Sequence, residues 1–294
     1  MLGNMRVNRY TDLWHSADMA TPPPMPSPQF SPLELQDLRR AKMLLENPKL
    51  PIRLANLLGT PIEKGFQLLP KGWSEAVQKA TRSALMKALA IAVASLGRNP
   101  RRVGSEKFHK LLVGASGGLG GAFGLPSLPI ELPISTTFML RSIADIARSE
   151  GHDLRTAPTK LACLEVFALG GPSKSDDAAE SGYWAIRAAL AKAISEAAAY
   201  VAQRTTVEQS APAVIRFVSA IASRFGVIVS EQMAAKAVPL VGAASGSIIN
   251  IVFMDHFQDM ARGHFIIKRL ENRYGVTAVK EAYDQLAVPI NEKR

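Results

Sequence analysis

Cysteine is nearly missing from this chain: Cys163 is the single one in 294 residues. A lone thiol excludes an internal disulfide framework and any metal site built from several cysteines. Aromatic residues are scarce, at 6%. Sustained period-two alternation bounded by turn pairs is absent, so the sequence offers little from which to build a sheet. Negative charge is in deficit, with 25 acidic against 35 basic residues and a formal net charge of +10. That balance suits an anionic partner. Nucleic acid is the weaker candidate, because the cations are spread over many segments and no recognised module or aromatic platform accompanies them. The opening MLGNMRVNRYTDLWH lacks a continuous apolar run, so no secretory signal is read there. Charge of either sign is missing from residues 111–130 and 237–254. Those lengths approach what a bilayer crossing requires.

What is present is alanine, leucine and glycine in helical patterns. The segment TPPPMPSPQFSP reads as an extended Pro-rich linker, so residues 1–32 are expected to be a disordered leader. Ser31-Pro32 followed by Glu34 opens a helix that Asn47-Pro48 ends. A short helix over about 53–58 follows. The clearest period lies in 73–96, where Trp73, Val77, Thr81, Leu85, Leu89, Val93 and Leu96 recur every three or four residues. Further helices are read after Pro133 to the cap at Gly151, over 161–169, 183–204 and 211–224, and over 228–257 with a break at Pro239. Residues 259–274 continue to Gly275, and Thr277 caps a last helix. The fold class is therefore all-α: one multi-helix domain over 33–288, with a tail at 289–294. Ser173 to Ser181 reads as a surface loop.

The glycine-rich run LVGASGGLGGAFGLPSLPIELP at 112–133 invites several chemistries. A Walker loop needs a lysine and a hydroxyl after its last glycine, and no lysine lies between Lys110 and Lys160. The dinucleotide fingerprint needs a third glycine where Phe123 stands, and a preceding strand. Gly114 to Gly118 matches GxSxG, but a nucleophile elbow works only on a strand-to-helix turn. Small residues four apart, as at Gly114 and Gly118 or Gly242 and Gly246, instead permit backbones to approach closely. The run is thus expected to form a close-packed helical hairpin. LVGASG at 112–117 is echoed by LVGAASG at 240–246, which leaves a duplicated hairpin open. The stretch Arg98, Arg101, Arg102, Lys107 and Lys110 precedes the run and is the candidate contact for anionic lipid.

Two places carry acid–base or ligand chemistry. Glu131 stands among prolines and apolar residues, so it is expected to be buried and to need a donor such as Arg141 or His256. DHFQDMARGHF at 255–265 brings Asp255 and Asp259 to one helix face, with His256 and His264 eight residues apart. Asp255, His256, Asp259 and His264 are candidate ligands for a divalent metal. Glu131, His256 and Asp259 are candidate catalytic groups of a metal-assisted hydrolase. No HExxH or paired ExxH pattern supports that reading, and the histidines are too far apart for one ion unless the helix breaks at Gly263. The bland alternative is a buried face with a few hydrogen-bonded polar groups, and no cofactor.

With these residues in view, the chain resembles the EcsC protein family. The resemblance rests on GGAFGLPSLPIELPISTTFMLRSIADIARSEG at 120–151 and VPLVGAASGSIINIVFMDHFQDMARGHFIIKRLENRYG at 238–275. It extends over roughly 33–288 and leaves the leader outside. It implies a bacterial, all-helical protein with a link to the membrane, because the family is named after an operon that also encodes an ABC transporter. It carries no established activity and transfers no catalytic residue. The expectation is a cytoplasmic protein, peripheral on the inner face of the cell membrane. Its role there is binding or accessory, toward lipid or a membrane complex, rather than catalytic. A helical scaffold for a protein partner is the remaining alternative.

Overall fold

A computed structural model describes residues 30–46, 50–97, 127–171, 182–204, 206–238 and 244–286. Among them are ten α-helices and no strand. In chain order these are α1 (Pro32–Glu46), α2 (Leu50–Leu58), α3 (Ile62–Gln67), α4 (Trp73–Ser95), α5 (Leu128–Ser149) and α6 (Ala157–Glu165). A 3-10 turn at Val166–Ala168 precedes α7 (Gly182–Ala202), α8 (Pro212–Ala237), α9 (Ala244–Tyr274) and α10 (Val276–Gln285). The leader to residue 29, most of the glycine run, the 173–181 stretch and the tail lie outside the described residues.

Four long helices build the core. Gln232 Nε2 donates to Asn250 Oδ1 at 2.8 Å, and Phe225 meets Phe257 with ring centroids 5.6 Å apart. Both pairs are equally distant from residue 241, so α8 and α9 form an antiparallel hairpin. Glu131 meets Asn250 near the start of α9, and Ser142 meets Gln258 further along, so α5 runs parallel to α9. Gly97, just past α4, abuts the turn that follows α5: a Cβ there would fall 2.8 Å from Leu154 O. The C-terminal ends of α4 and α5 therefore coincide. Gly97 and Ser127 accordingly sit at opposite ends of α5, whose 22 residues span about 33 Å. Phe167, Phe225, Phe253 and Phe257 fill the centre, fully buried.

The smaller helices cover this bundle. α1 lies antiparallel on the second half of α9, with Arg269 on Asp37 and Arg273 on Glu34. Its start is a capping box: Ser31 Oγ accepts from Glu34 N, and Glu34 Oε2 accepts from Ser31 N. Where α1 crosses α9, a Cβ on Gly263 would fall 2.6 Å from Leu45 Cγ and 3.1 Å from Ala41 O. Gly263 thus serves a close crossing, and α9 runs through it without a break.

Several boundaries differ from the sequence reading. α5 opens at Leu128 and contains Pro133. One proline in the second turn removes a single i→i−4 bond, and burial of Leu128, Glu131, Leu132 and Pro133 holds the turn in place. α3, six residues between Pro61 and Pro70, is too short to show a period in the sequence. α8 is one helix from Pro212 to Ala237, undivided near Gly226. The last helix takes Gly275, not Thr277, as its N-cap, without a side-chain bond. Residues 237–254 straddle the reversal between α8 and α9, so they do not form one crossing helix. Among the described residues α8 alone is long and apolar enough to span a membrane, and 44% of its apolar window is buried in the bundle.

Candidate functional site

Glu131 lies in the first turn of α5, where the helix dipole favours a carboxylate. Lys236 lies in the last turn of α8, where the dipole favours an ammonium. The two helix ends meet, and Lys236 Nζ donates to Glu131 Oε1. Asn250 Nδ2 donates to the same oxygen at 3.1 Å, and Gln232 in turn donates to Asn250. Burial lowers the pKa of Lys236, against the pull of the Glu131 carboxylate. The expected donors were Arg141 or His256. Neither reaches Glu131: Arg141 is exposed on another face of α5, and the true partner is more than a hundred residues away in sequence.

This cluster marks one end of the bundle. It gathers the starts of α5 and α9, the end of α8, and α3, whose Gly65 packs against Ala234. Around it stand solvent-facing apolar side chains: Ile130 is 70% exposed, Ile134 40%, Ile248 43% and Leu68 53%. Lys64 and Lys71 are exposed at the same end. Both glycine-rich sequences, 112–126 and 240–246, enter the described residues here. The basic positions Arg98, Arg101, Arg102, Lys107 and Lys110 lie outside the described residues.

The other site candidates fall in separate surroundings. Asp255 and Asp259 line a cleft of about 500 Å³ with Arg53, Asn56, Val252, Gln258 and Arg262. Asp259 pairs with Arg53 at 3.2 Å and with Arg262 at 3.5 Å. His256 faces away from that cleft, toward Gly170, whose φ of +78° leaves no room for a side chain: a Cβ would fall 2.5 Å from His256 Cε1. Burial pulls the His256 pKa down to about 3, so the ring is neutral. Glu131 is anchored at Asn250, nine residues before Asp259 and so about 14 Å away along α9. Glu131, His256 and Asp259 therefore do not share a cavity.

His264 belongs to a fourth environment. Its Nδ1 meets Tyr183 Oη at 3.1 Å, and its Nε2 lies 3.4 Å from Glu165 Oε2. Arg187 ties Glu271 to the same group, at 2.5 and 3.0 Å. Burial lowers the His264 pKa, and at Glu165 the upward push of burial is outweighed by the contact with His264, with smaller pulls from Lys268 and Arg187, so its pKa falls below the usual carboxylate value. Sequence reading missed Glu165, Tyr183 and Arg187, because no local motif joins residues on α6, α7 and α9. This network is closed to solvent and locks three helices. Among the described residues no group of three or more His, Cys, Asp or Glu is placed to hold a metal ion. Burial also pushes the Cys163 thiol up, which makes it a poor nucleophile.

Glu231, near the end of α8, was not singled out by sequence either. Burial raises its pKa from 4.5 to about 7. A carboxyl raised in the folded state costs nothing below its unfolded pKa, and it destabilises progressively as pH rises from 4.5 to about 7. Glu231→Gln is therefore expected to gain on the order of 2 kcal/mol at about pH 8 and nothing at about pH 4. Urea denaturation of both proteins across that range measures the difference. A gain independent of pH would refute the assignment.

Comparison with known proteins gives one match. The model of the EcsC protein family matches residues 34–270, from α1 to Leu270 of α9. No curated protein and no solved structure matches the chain.

Proposed function

We propose, for a chain that belongs to the EcsC protein family, a binding or accessory role at an anionic lipid surface. The contacting region is the bundle end around Glu131 and Lys236. The observation that carries this reading is the gathering of Ile130, Ile134, Ile248 and Leu68, all solvent-facing, at the end where the two uncharged glycine-rich sequences enter. Apolar side chains enter the interfacial zone of a bilayer, and nearby lysines draw the protein to anionic headgroups at about 1 kcal/mol each. Lys64 and Lys71 supply that charge among the described residues. The location is the cytoplasmic face of the cell membrane, and the partner is anionic lipid or a membrane complex that presents it.

Vesicle flotation tests this. The protein is expected to float with phosphatidylglycerol vesicles, to float less with phosphatidylcholine alone, and to be released by salt. An isoleucine carries about 2 kcal/mol when fully buried, so Ile130→Ser with Ile134→Ser loses about tenfold or more in partitioning. A protein that stays at the bottom with every vesicle, or a double variant that floats like the parent, sinks the reading.

A further inference from the structure

α4 and α8 run antiparallel, and a groove of about 410 Å³ lies between their outer faces. Gln78 and Arg82 line it on α4, and Ser219, Ser223 and Gly226 line it on α8. A second hollow, of about 770 Å³, adjoins it along α4 and shares Gln78 and Arg82. Both volumes lie in the range of small-molecule pockets. The two walls meet in layers. Arg82 faces Ser219, and one turn toward the start of α4 Gln78 comes level with Ser223. In the layer beyond, Gly226 has nothing within 4 Å of where a Cβ would be, so the groove stays open there.

Charge and hydrogen bonding set the ligand. Arg82 Nη2 donates to Ser219 Oγ at 2.6 Å. Arg216 and Arg273, also exposed, are instead held by Glu196 and Glu34. A neutral hydroxyl accepts from one arm of the Arg82 guanidinium and leaves the rest of its planar fork for an anion. Lys79 and Lys87 line the adjoining hollow with Arg82, and Glu75 is the acid among its lining residues. Three cations and one carboxylate leave two positive charges unbalanced. A phosphate monoester carries about −1.5 to −2 at neutral pH and matches them. The serines divide by role. Ser219 accepts from Arg82 and keeps its own proton to give. Ser223 donates to Ala220 O at 2.9 Å, so its lone pairs remain to accept. The two lie one turn apart on α8, about 6 Å, which is the reach of a three-carbon chain from its phosphorus.

We propose that this groove binds a phosphorylated polyol. Its phosphate sits between Arg82, Lys79 and the Ser219 hydroxyl, and its hydroxyl groups sit at Gln78 and Ser223. The amide of Gln78 both donates and accepts, as a polyol hydroxyl requires. A free polyol phosphate and the glycerophosphate of a lipid headgroup share this chemistry. The groove lies on the side of the bundle and does not depend on lipid contact through Ile130 and Ile134.

Isothermal titration of the full chain tests it, with sn-glycerol 3-phosphate as probe and with inorganic phosphate and glycerol as its separate parts. An ionic strength of about 0.15 M screens loose attraction to the exposed lysines. Saturable binding of glycerol 3-phosphate is expected, about tenfold tighter than inorganic phosphate. Arg82→Ala is expected to weaken it about tenfold, while the thermal midpoint moves by less than about 3 °C. Gly226→Leu puts a side chain into the groove and removes no charge. It is expected to weaken binding at least as much, although leucine is the better helix former. No saturable heat with glycerol 3-phosphate overturns the proposal. So does inorganic phosphate that binds as tightly, or either variant binding like the parent. Displacement of glycerol 3-phosphate by phosphatidylglycerol vesicles assigns the ligand to a lipid headgroup, and its absence assigns it to a soluble metabolite. The titrations themselves contain no vesicles, so they can fail while flotation succeeds, and the reverse.

Discussion

Gly65→Ala is expected to destabilise the bundle by about 3 kcal/mol, although alanine is the better helix former. Gly65 lies within α3, where the helix crosses α8. A Cβ at this position would run into the carbonyl oxygen of Ala234. That atom belongs to the backbone of a long buried helix, so it cannot swing aside as a side-chain tip could. The crossing must open by the width of a methyl group, and neighbours such as Ile62 and Ala234 lose their packing. Gly226 provides the control. It sits inside α8 with nothing within 4 Å of where a Cβ would be. Gly226→Ala is therefore expected to gain about 0.5–1 kcal/mol from helix propensity alone. Urea midpoints of the two variants should move in opposite directions. A neutral or stabilised Gly65→Ala would show that the two helices do not touch there.

The same contrast explains what was legible in the sequence. Glycines in 112–133 are expected to mark close approaches, whereas Gly263 lies inside the helix expected over 259–274, and a break there is only the condition for a shared metal ion. Among the described glycines inside helices, the close approaches are at Gly65 and Gly263, and the hydrophobic period continues through both. One glycine costs a helix about 1 kcal/mol, which packing overrides. That is why α8 passes Gly226 and α9 passes Gly263 unbroken. α4 was readable almost to the residue, because its face repeats over six turns and Gly97 adopts a positive φ just beyond its end. The Ser31–Glu34 box at the start of α1 was readable for a different reason: both groups lie within four residues. The pattern shortens α5 because prolines usually mark an end, whereas Pro129 and Pro133 fall in its first two turns.

The site was far less legible than the fold. Burial of Glu131 and the shared face of Asp255 and Asp259 follow from local pattern, and both are found. The partner of Glu131 does not follow, since Lys236 reaches it only through the packing of α5 against the α8–α9 hairpin. Likewise, nothing in DHFQDMARGHF separates His256, which faces Gly170, from His264, which faces Glu165. Both belong to one helical face, and what divides them is the path of the chain after α6.

The second large effect concerns that pair. Lys236→Met is expected to cost about 3–5 kcal/mol, because it strands a buried carboxylate. The side chains of Lys236 and Glu131 are 5% and 8% exposed, so water replaces little of the lost partner. Asn250 still donates to Glu131, but a single neutral amide does not balance a charge. The direction of the Lys236 pKa points the same way. Burial pulls it below the ordinary lysine value, which means that desolvation of the ammonium is not fully offset by Glu131. The intact pair is then a weak stabiliser, while either half alone is a strong destabiliser. Glu131→Gln combined with Lys236→Met should accordingly return to within about 1 kcal/mol of the parent. The glutamine keeps an oxygen for Asn250 and brings no charge. Denaturation of the two single variants and the double variant gives the coupling energy directly. Equal losses in the Lys236→Met and double variants would mean that the methylene packing of Lys236, not its charge, holds α5 to α8. Vesicle flotation of the double variant adds the functional reading. Lipid contact through Ile130, Ile134 and Ile248 needs the helix ends in register but no charge beneath them, so this variant should float like the parent while Lys236→Met floats less.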